Sequence, residues 1–189
     1  MPIHQNQTVA TEKLILGNYK IEVAPFSSTA VTGYVNLGAG MVNSFGHNLT
    51  KYAVQAGNAP DPLEGIATET FTIAVDLLEF DASSLNTIQG GAISNTAGTT
   101  GQTIIKGGGN QIITPKIFKL TNTRLIGTVT DETIIVAFNG TLDTGLQFTA
   151  KSDNDADPIQ VMPITITCKP DSVRTAGSQL YTVTHTYNP

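Results

Sequence analysis

Three carboxylates at alternate positions, Asp153, Asp155 and Asp157, are the residues of this chain whose spacing most suggests chemistry. It matches the first three ligand positions of a calcium loop, where carboxylate oxygens converge on a hard cation. The match stops there. An EF-hand needs Gly at its sixth position and a bidentate Glu at its twelfth, and Pro158 and Ile164 stand in those places. A calcium site of another kind is the alternative. The preferred reading is a solvated hairpin tip whose Asp and Asn side chains bond to nearby backbone.

The other candidates are weaker in kind. Gly107-Gly-Gly109 lacks the Gly-Lys-Ser/Thr ending of a phosphate loop and opens no helix, so it reads as a hinge. His4, His47 and His185 are far apart in sequence, and none belongs to a short metal-ligand or catalytic spacing. The single cysteine, Cys168, lies in an alternating strand and is expected to be a small core residue rather than a nucleophile. A hydrolase usually surrounds its substrate with aromatic side chains, and there is no Trp. The residues therefore assign no catalytic group, no cofactor and no metal, with Asp153, Asp155 and Asp157 kept as the only metal candidates. An enzyme is not expected.

The elements that would carry these residues are strands. Threonine occurs 28 times, much of it in runs with Val, Ile, Phe and Tyr, and β-branched side chains pack well on a pleated surface. Residues 12–24 read as a hairpin turning at Gly17-Asn18, with Leu16 opposite Tyr19, Leu14 opposite Ile21 and Lys13 opposite Glu22. Residues 30–37 form a plausible strand. Residues 38–49, rich in Gly and Asn, read as loop; 51–56 alternate again; two prolines make 57–65 a loop. The cleanest strand spans 68–80, with Phe71, Ile73, Val75 and Leu77 on one face and Thr72, Ala74 and Asp76 on the other.

A short helix is expected after it, capped by Asp81 and ended by Gly90. Residues 91–109 are Gly/Thr/Ser/Asn-rich, and only 103–106 look strand-like. Strands resume at about 116–121, 125–130, 132–139, 146–151, 159–169 and 180–187, with Asn139-Gly140 and Asp143-Thr-Gly145 competing as the turn after Phe138. About ten strands at this spacing with one helix mean a β-sandwich or a small or partial barrel. A chain of 189 residues is most simply one domain, 1–189, with long irregular loops at about 38–65 and 91–109.

Composition narrows the partners. Charged residues make up 13%, about half the roughly 25% usual in soluble domains, and a subunit covered by copies of itself explains that deficit better than a free monomer. Net charge is −5 with the basic residues scattered, whereas phosphate-backbone binding needs a basic stripe. The first residues carry neither a basic nor an apolar stretch of the secretory kind, and no apolar run approaches the ~18 residues of a membrane span.

From 141 onward the chain resembles the major tail (tail tube) protein of long-tailed, siphovirus-type bacteriophages. Thr141-Leu-Asp-Thr-Gly-Leu-Gln-Phe148 and the Ser152-Asp-Asn-Asp-Ala-Asp-Pro158 turn are similar to that family's penultimate hairpin. Ile164-Thr-Ile-Thr167, Lys169-Pro-Asp171 and Leu180-Tyr-Thr-Val183 are similar to its closing strand, Pro-Asp turn and final strand. Residues 69–90 are similar to its long strand, which ends in Leu-Glu-Phe and enters a single short helix. Together these cover about half the chain.

The resemblance implies a mainly-β fold, a β-sandwich or partial barrel with one short flanking helix, whose inner sheet is completed by neighbouring subunits. It implies a structural virion protein: six copies form a ring, and rings stack into the hollow tube through which DNA leaves the capsid. Partners are then copies of itself, other tail proteins such as the tape measure and the tail terminator, and DNA in passing, with no membrane. The location implied is the virion tail, after synthesis in the host bacterial cytoplasm. Thr72 and Asp76 are expected on a polar strand face, turned either to the bore or to outer solvent; the residues leave that open. The long loops are expected to order between rings. The alternatives are another virion part of similar fold, such as a connector, distal tail or decoration protein, or a calcium- or carbohydrate-binding β-sandwich module.

Overall fold

The computed structural model describes residues 17–27, 31–54, 63–78, 88, 93–97, 103–107, 114–126, 129–143 and 161–188. They form nine strands: β1 (Gly17–Pro25), β2 (Val35–Val54), β3 (Leu63–Leu77), β4 (Ile93–Ala97), β5 (Thr103–Gly107), β6 (Lys116–Ile126), β7 (Val129–Leu142), β8 (Met162–Cys168) and β9 (Tyr181–Asn188). One seven-stranded sheet runs β6-β1-β2-β3-β8-β7-β9, and β6 also pairs with β7. That extra pairing brings the sheet round on itself, and β9 and β8 share the edge of β7 opposite β6, β9 along Thr130–Ala137 and β8 along Gly140–Leu142. Strands β4 and β5 pair only with each other among the described residues. The expected mainly-β class holds, in its barrel form: one sheet curls round a core. Among the described residues no helix is long and apolar enough to cross a membrane.

Alternation builds that core. Tyr19, Ile21 and Val23 of β1, Phe71, Ile73, Val75 and Leu77 of β3, Phe118 and Leu120 of β6, Ile135 and Ala137 of β7, and Met162, Ile164, Ile166 and Cys168 of β8 all point inward and are buried. Fully burying each large apolar side chain stabilises by about 1.5–3 kcal/mol. Thr72, Thr165 and Thr167 take intervening outward positions.

Several expectations are corrected. Gly17-Asn18 is no turn: both residues are in β1, opposite Val42 and Met41. Residues 20–23 have β2 on one edge and β6 on the other, so Ile21 and Glu22 have other partners than the expected Leu14 and Lys13, which lie outside the described residues. The supposed loop at 38–49 is the middle of β2, a twenty-residue strand continuous to Val54. Its glycines serve the ladder. A Cβ at Gly40 would stand 2.5 Å from Ile21 Cδ1 and 2.8 Å from Val75 Cγ1, and Gly38 sits at a bulge with φ 121°. Leu63–Gly65, also assigned to a loop, belong to β3.

Within 91–109 there are two strands rather than one strand-like piece, β4 and β5 in register from Ile93↔Gly107 to Ala97↔Thr103. The strand expected at 125–130 straddles the junction of β6 and β7, where Ile126 is opposite Val129. Asn139-Gly140 is not the turn after Phe138: Asn139 bends β7 with φ 50°, and the strand continues to Leu142. The expected helix at 81–90 lies outside the described residues except for Ile88, which is buried against the core. The strand at 146–151 lies outside them as well.

Candidate functional site

Asp153, Asp155 and Asp157 lie outside the described residues. Among the described residues no three His, Cys, Asp or Glu side chains cluster as a metal site would require. Cys168 is fully buried. Burial, with a smaller contribution from the Asp143 carboxylate, pushes its thiol up to about 12, so it is not a thiolate near neutral pH.

The structure does assemble one constellation that the sequence did not disclose. Asp131 and Thr133 of β7 stand opposite Tyr187 and His185 of β9. His185 Nδ1 lies 3.1 Å from the Thr133 hydroxyl, and its Nε2 lies 3.2 Å from Asp131. The order hydroxyl, imidazole, carboxylate is that of a nucleophilic triad. Accessibility decides against that chemistry here, because Thr133 is only 3% exposed and no substrate carbonyl could approach its oxygen. Asp131 is 2% exposed and accepts from Arg124 of β6 at 2.5 Å. The carboxylate thus ties β6, β7 and β9 together. One signal was available: in β7 the core-facing positions Ile135 and Ala137 continue, at the same parity, into Thr133 and Asp131.

The face of β3 turned away from the core carries the two residues expected on a polar surface. Thr72 and Asp76 are half-buried there, opposite Thr167 and Pro163 of β8 and Gly46 and Met41 of β2. Asn48 donates to the Thr72 hydroxyl at 3.4 Å, and Thr167 donates to Asp143. The result is a surface of small hydroxyl and amide side chains with few charges.

The largest unpartnered feature is an arm. Beyond the root pair His47↔Phe71, β2 and β3 pair only with each other among the described residues. Strand β8 ends opposite Phe71, and β1 ends opposite Val42. Leu49, Tyr52, Val54 and Ile66 on this ribbon are each about half exposed. Leu49 keeps the inner-face parity of Phe45 and His47, the register shift at Thr50/Lys51 passes over Ala67 of β3, and Tyr52 and Val54 have the opposite parity on β2. Apolar side chains therefore stand on both faces of the ribbon beyond the end of the core. Tyr52 lies across Gly65, where a Cβ would be 2.5 Å from its ring. The arm's root is held by aromatic contacts: Phe71 stacks on Tyr181 at 4.1 Å, and Phe45 meets Tyr19 edge-on at 6.2 Å.

No family model matches the chain, and no curated protein matches it. Among solved structures it is similar to the tube-terminating cap of the anti-feeding prophage (12% identity, 92% of this chain and 93% of that one, TM-score 0.43). It is also similar to a chain of the PVC extracellular contractile injection system sheath–tube complex in the extended state (12% identity, 95% and 97%, TM-score 0.42). A third similar structure is an Hcp protein (8% identity, 89% and 98%, TM-score 0.35).

Proposed function

We propose that this chain is a structural, non-enzymatic subunit of a phage-type tail tube, in which six copies form a ring and rings stack around a hollow bore. The observation that carries the reading is the β2–β3 arm. A two-stranded ribbon is marginal in water by itself, and this one holds Leu49, Tyr52, Val54 and Ile66 about half exposed. Packed against another copy, those residues gain the cover the barrel denies them. The low charge of 13% fits a surface largely occupied by neighbours.

The resemblance of residues 69–90 and of the segment from 141 onward to siphovirus tail tube proteins supplies the rest. In that assembly the polar face bearing Thr72 and Asp76 lines the bore. Net charge of −5 repels phosphates weakly, so DNA passes without a binding site to hold it. The tape measure and the tail terminator are the partners such a tube needs, and the virion tail is its location.

Sedimentation velocity over a concentration series tests the reading. The expected result is growth from the single chain to a ring and then to larger species. Arrest at one ring would indicate a connector or distal tail protein instead, and a single chain at every concentration would remove self-assembly.

A further inference from the structure

One edge of β3 is left open for a definable reason. Strand β8 pairs with β3 from Met162↔Leu77 to Cys168↔Phe71. One step further the Lys169 N–H turns to Asn139 O of β7 at 3.3 Å. The next residue, Pro170, has no N–H to offer β3. The chain leaves the sheet there, and Leu63–Thr70 have β2 on one side and no strand on the other among the described residues. Beside that open edge lies a cleft of about 570 Å³ between Ile66–Thr70 on one wall and Lys169, Pro170 and Gln179 on the other.

A second open edge belongs to β9. Its Tyr181–Ala137 to Asn188–Thr130 register occupies one side with β7, and no strand pairs with the other among the described residues. The sequence Tyr-Thr-Val-Thr-His-Thr-Tyr-Asn contains none of the Lys, Pro, Asp or Glu residues that usually blunt an exposed edge. Val183 is 44% exposed on it.

We propose that the β9 edge of one copy adds to the β3 edge, at Leu63–Thr70, of the next. This rests on the self-assembly reading and assigns its lateral contact. Both edges are eight residues long, so each covers the other without remainder. Charge selects this pairing over β3 with β3. Glu64 and Glu69 on the β3 edge would face their own copies in a like-with-like contact, whereas β9 brings no carboxylate to meet them. The contact is head-to-tail, so every subunit offers one donor edge and one acceptor edge, and the arrangement can close into a ring. The cleft fits a slim, neutral strand; Lys169 at its wall would repel a basic one.

Two single variants test it. Thr68→Lys and Thr184→Lys each place a charge on one exposed edge strand and leave the core untouched, which the thermal melt of each variant verifies. Each alone is expected to lose assembly. Mixed in equal amounts they are expected to form a dimer of one copy each and nothing larger, since one sound β9 edge and one sound β3 edge remain.

Assembly of either variant alone to the wild-type extent would overturn the pairing, as would a mixture that stays monomeric. Because wild-type protein is run beside them, failure of the edge assignment is distinguishable from failure of self-assembly itself. Independently of any variant, backbone amides in 63–70 and 181–188 of the wild type are expected to exchange at least about tenfold more slowly once assembled. Unchanged exchange in both segments would contradict the contact.

Discussion

Gly140 of β7 faces Cys168 of β8 across the seam between these two strands. A methyl group at Gly140 would stand 3.0 Å from Cys168 Sγ and 2.9 Å from the Phe118 ring. Gly140↔Cys168 is the first of three register pairs that join β7 to β8 among the described residues, with Lys169 N–H donating to Asn139 O beside it. Gly140→Ala is expected to destabilise the fold by about 1–3 kcal/mol, the usual cost of overpacking a tight core. Urea unfolding would show it as a lower midpoint at unchanged slope; a wild-type midpoint would mean the seam is slack.

The same seam makes Cys168 inert. Its thiol is held up at about 12, chiefly by burial, while an unfolded cysteine ionises near pH 8.5. Iodoacetamide at pH 8.5 should leave the native protein unmodified and label it promptly in denaturant. Since the folded form keeps its proton longer, the stability tied to this group is full below about pH 8.5 and falls as pH rises towards 12. Prompt native labelling would place the sulfur at the surface.

Glu22 titrates in the opposite sense. The Lys20 ammonium hydrogen-bonds its carboxylate at 2.8 Å, and Lys119 approaches at 3.2 Å. Together, Lys20 foremost, they outweigh the opposing effect of burial and hold its carboxyl below the ordinary carboxylate range. A depressed carboxyl contributes stability that is present above its unfolded pKa and is lost as pH falls through the folded one. Glu22→Gln should therefore flatten the acid side of the stability–pH curve and leave its alkaline side in place. An unchanged acid limb would show that these contacts do not persist in solution.

Asp131 carries a different kind of load. At 2% exposure its carboxylate lies against the Arg124 guanidinium and the His185 ring. Arg124→Met leaves that carboxylate without its guanidinium, and a loss of about 1–3 kcal/mol is expected. Combined with Asp131→Asn, the loss should be smaller than the sum of the two single changes. Strict additivity in calorimetric melts would mean the two side chains act separately.

Much of this was legible in advance where one strand face is buried and the other is not. From Phe71 to Leu77 and from Met162 to Cys168, buried apolar side chains alternate with Thr, Asp, Ala or Pro, and the structure follows them. Strand β2 escaped because its signals contradict that pattern: Gly40 faces inward where no side chain fits, and the arm beyond Phe45 is exposed on both faces. Gly17-Asn18 misled for a tertiary reason, since nothing local in that dipeptide reports that β2 and β6 already flank the strand. The arm's exposed apolar residues were invisible too, because reading 38–49 and 57–65 as loops hid the ribbon on which Leu49, Tyr52, Val54 and Ile66 lie.

The most direct test is negative-stain electron microscopy of the purified chain at high concentration. Self-assembly through the arm and the open edges predicts rings of one diameter with sixfold views, stacked into tubes with a stain-filled bore. A field of isolated particles the size of one chain at every concentration would contradict it.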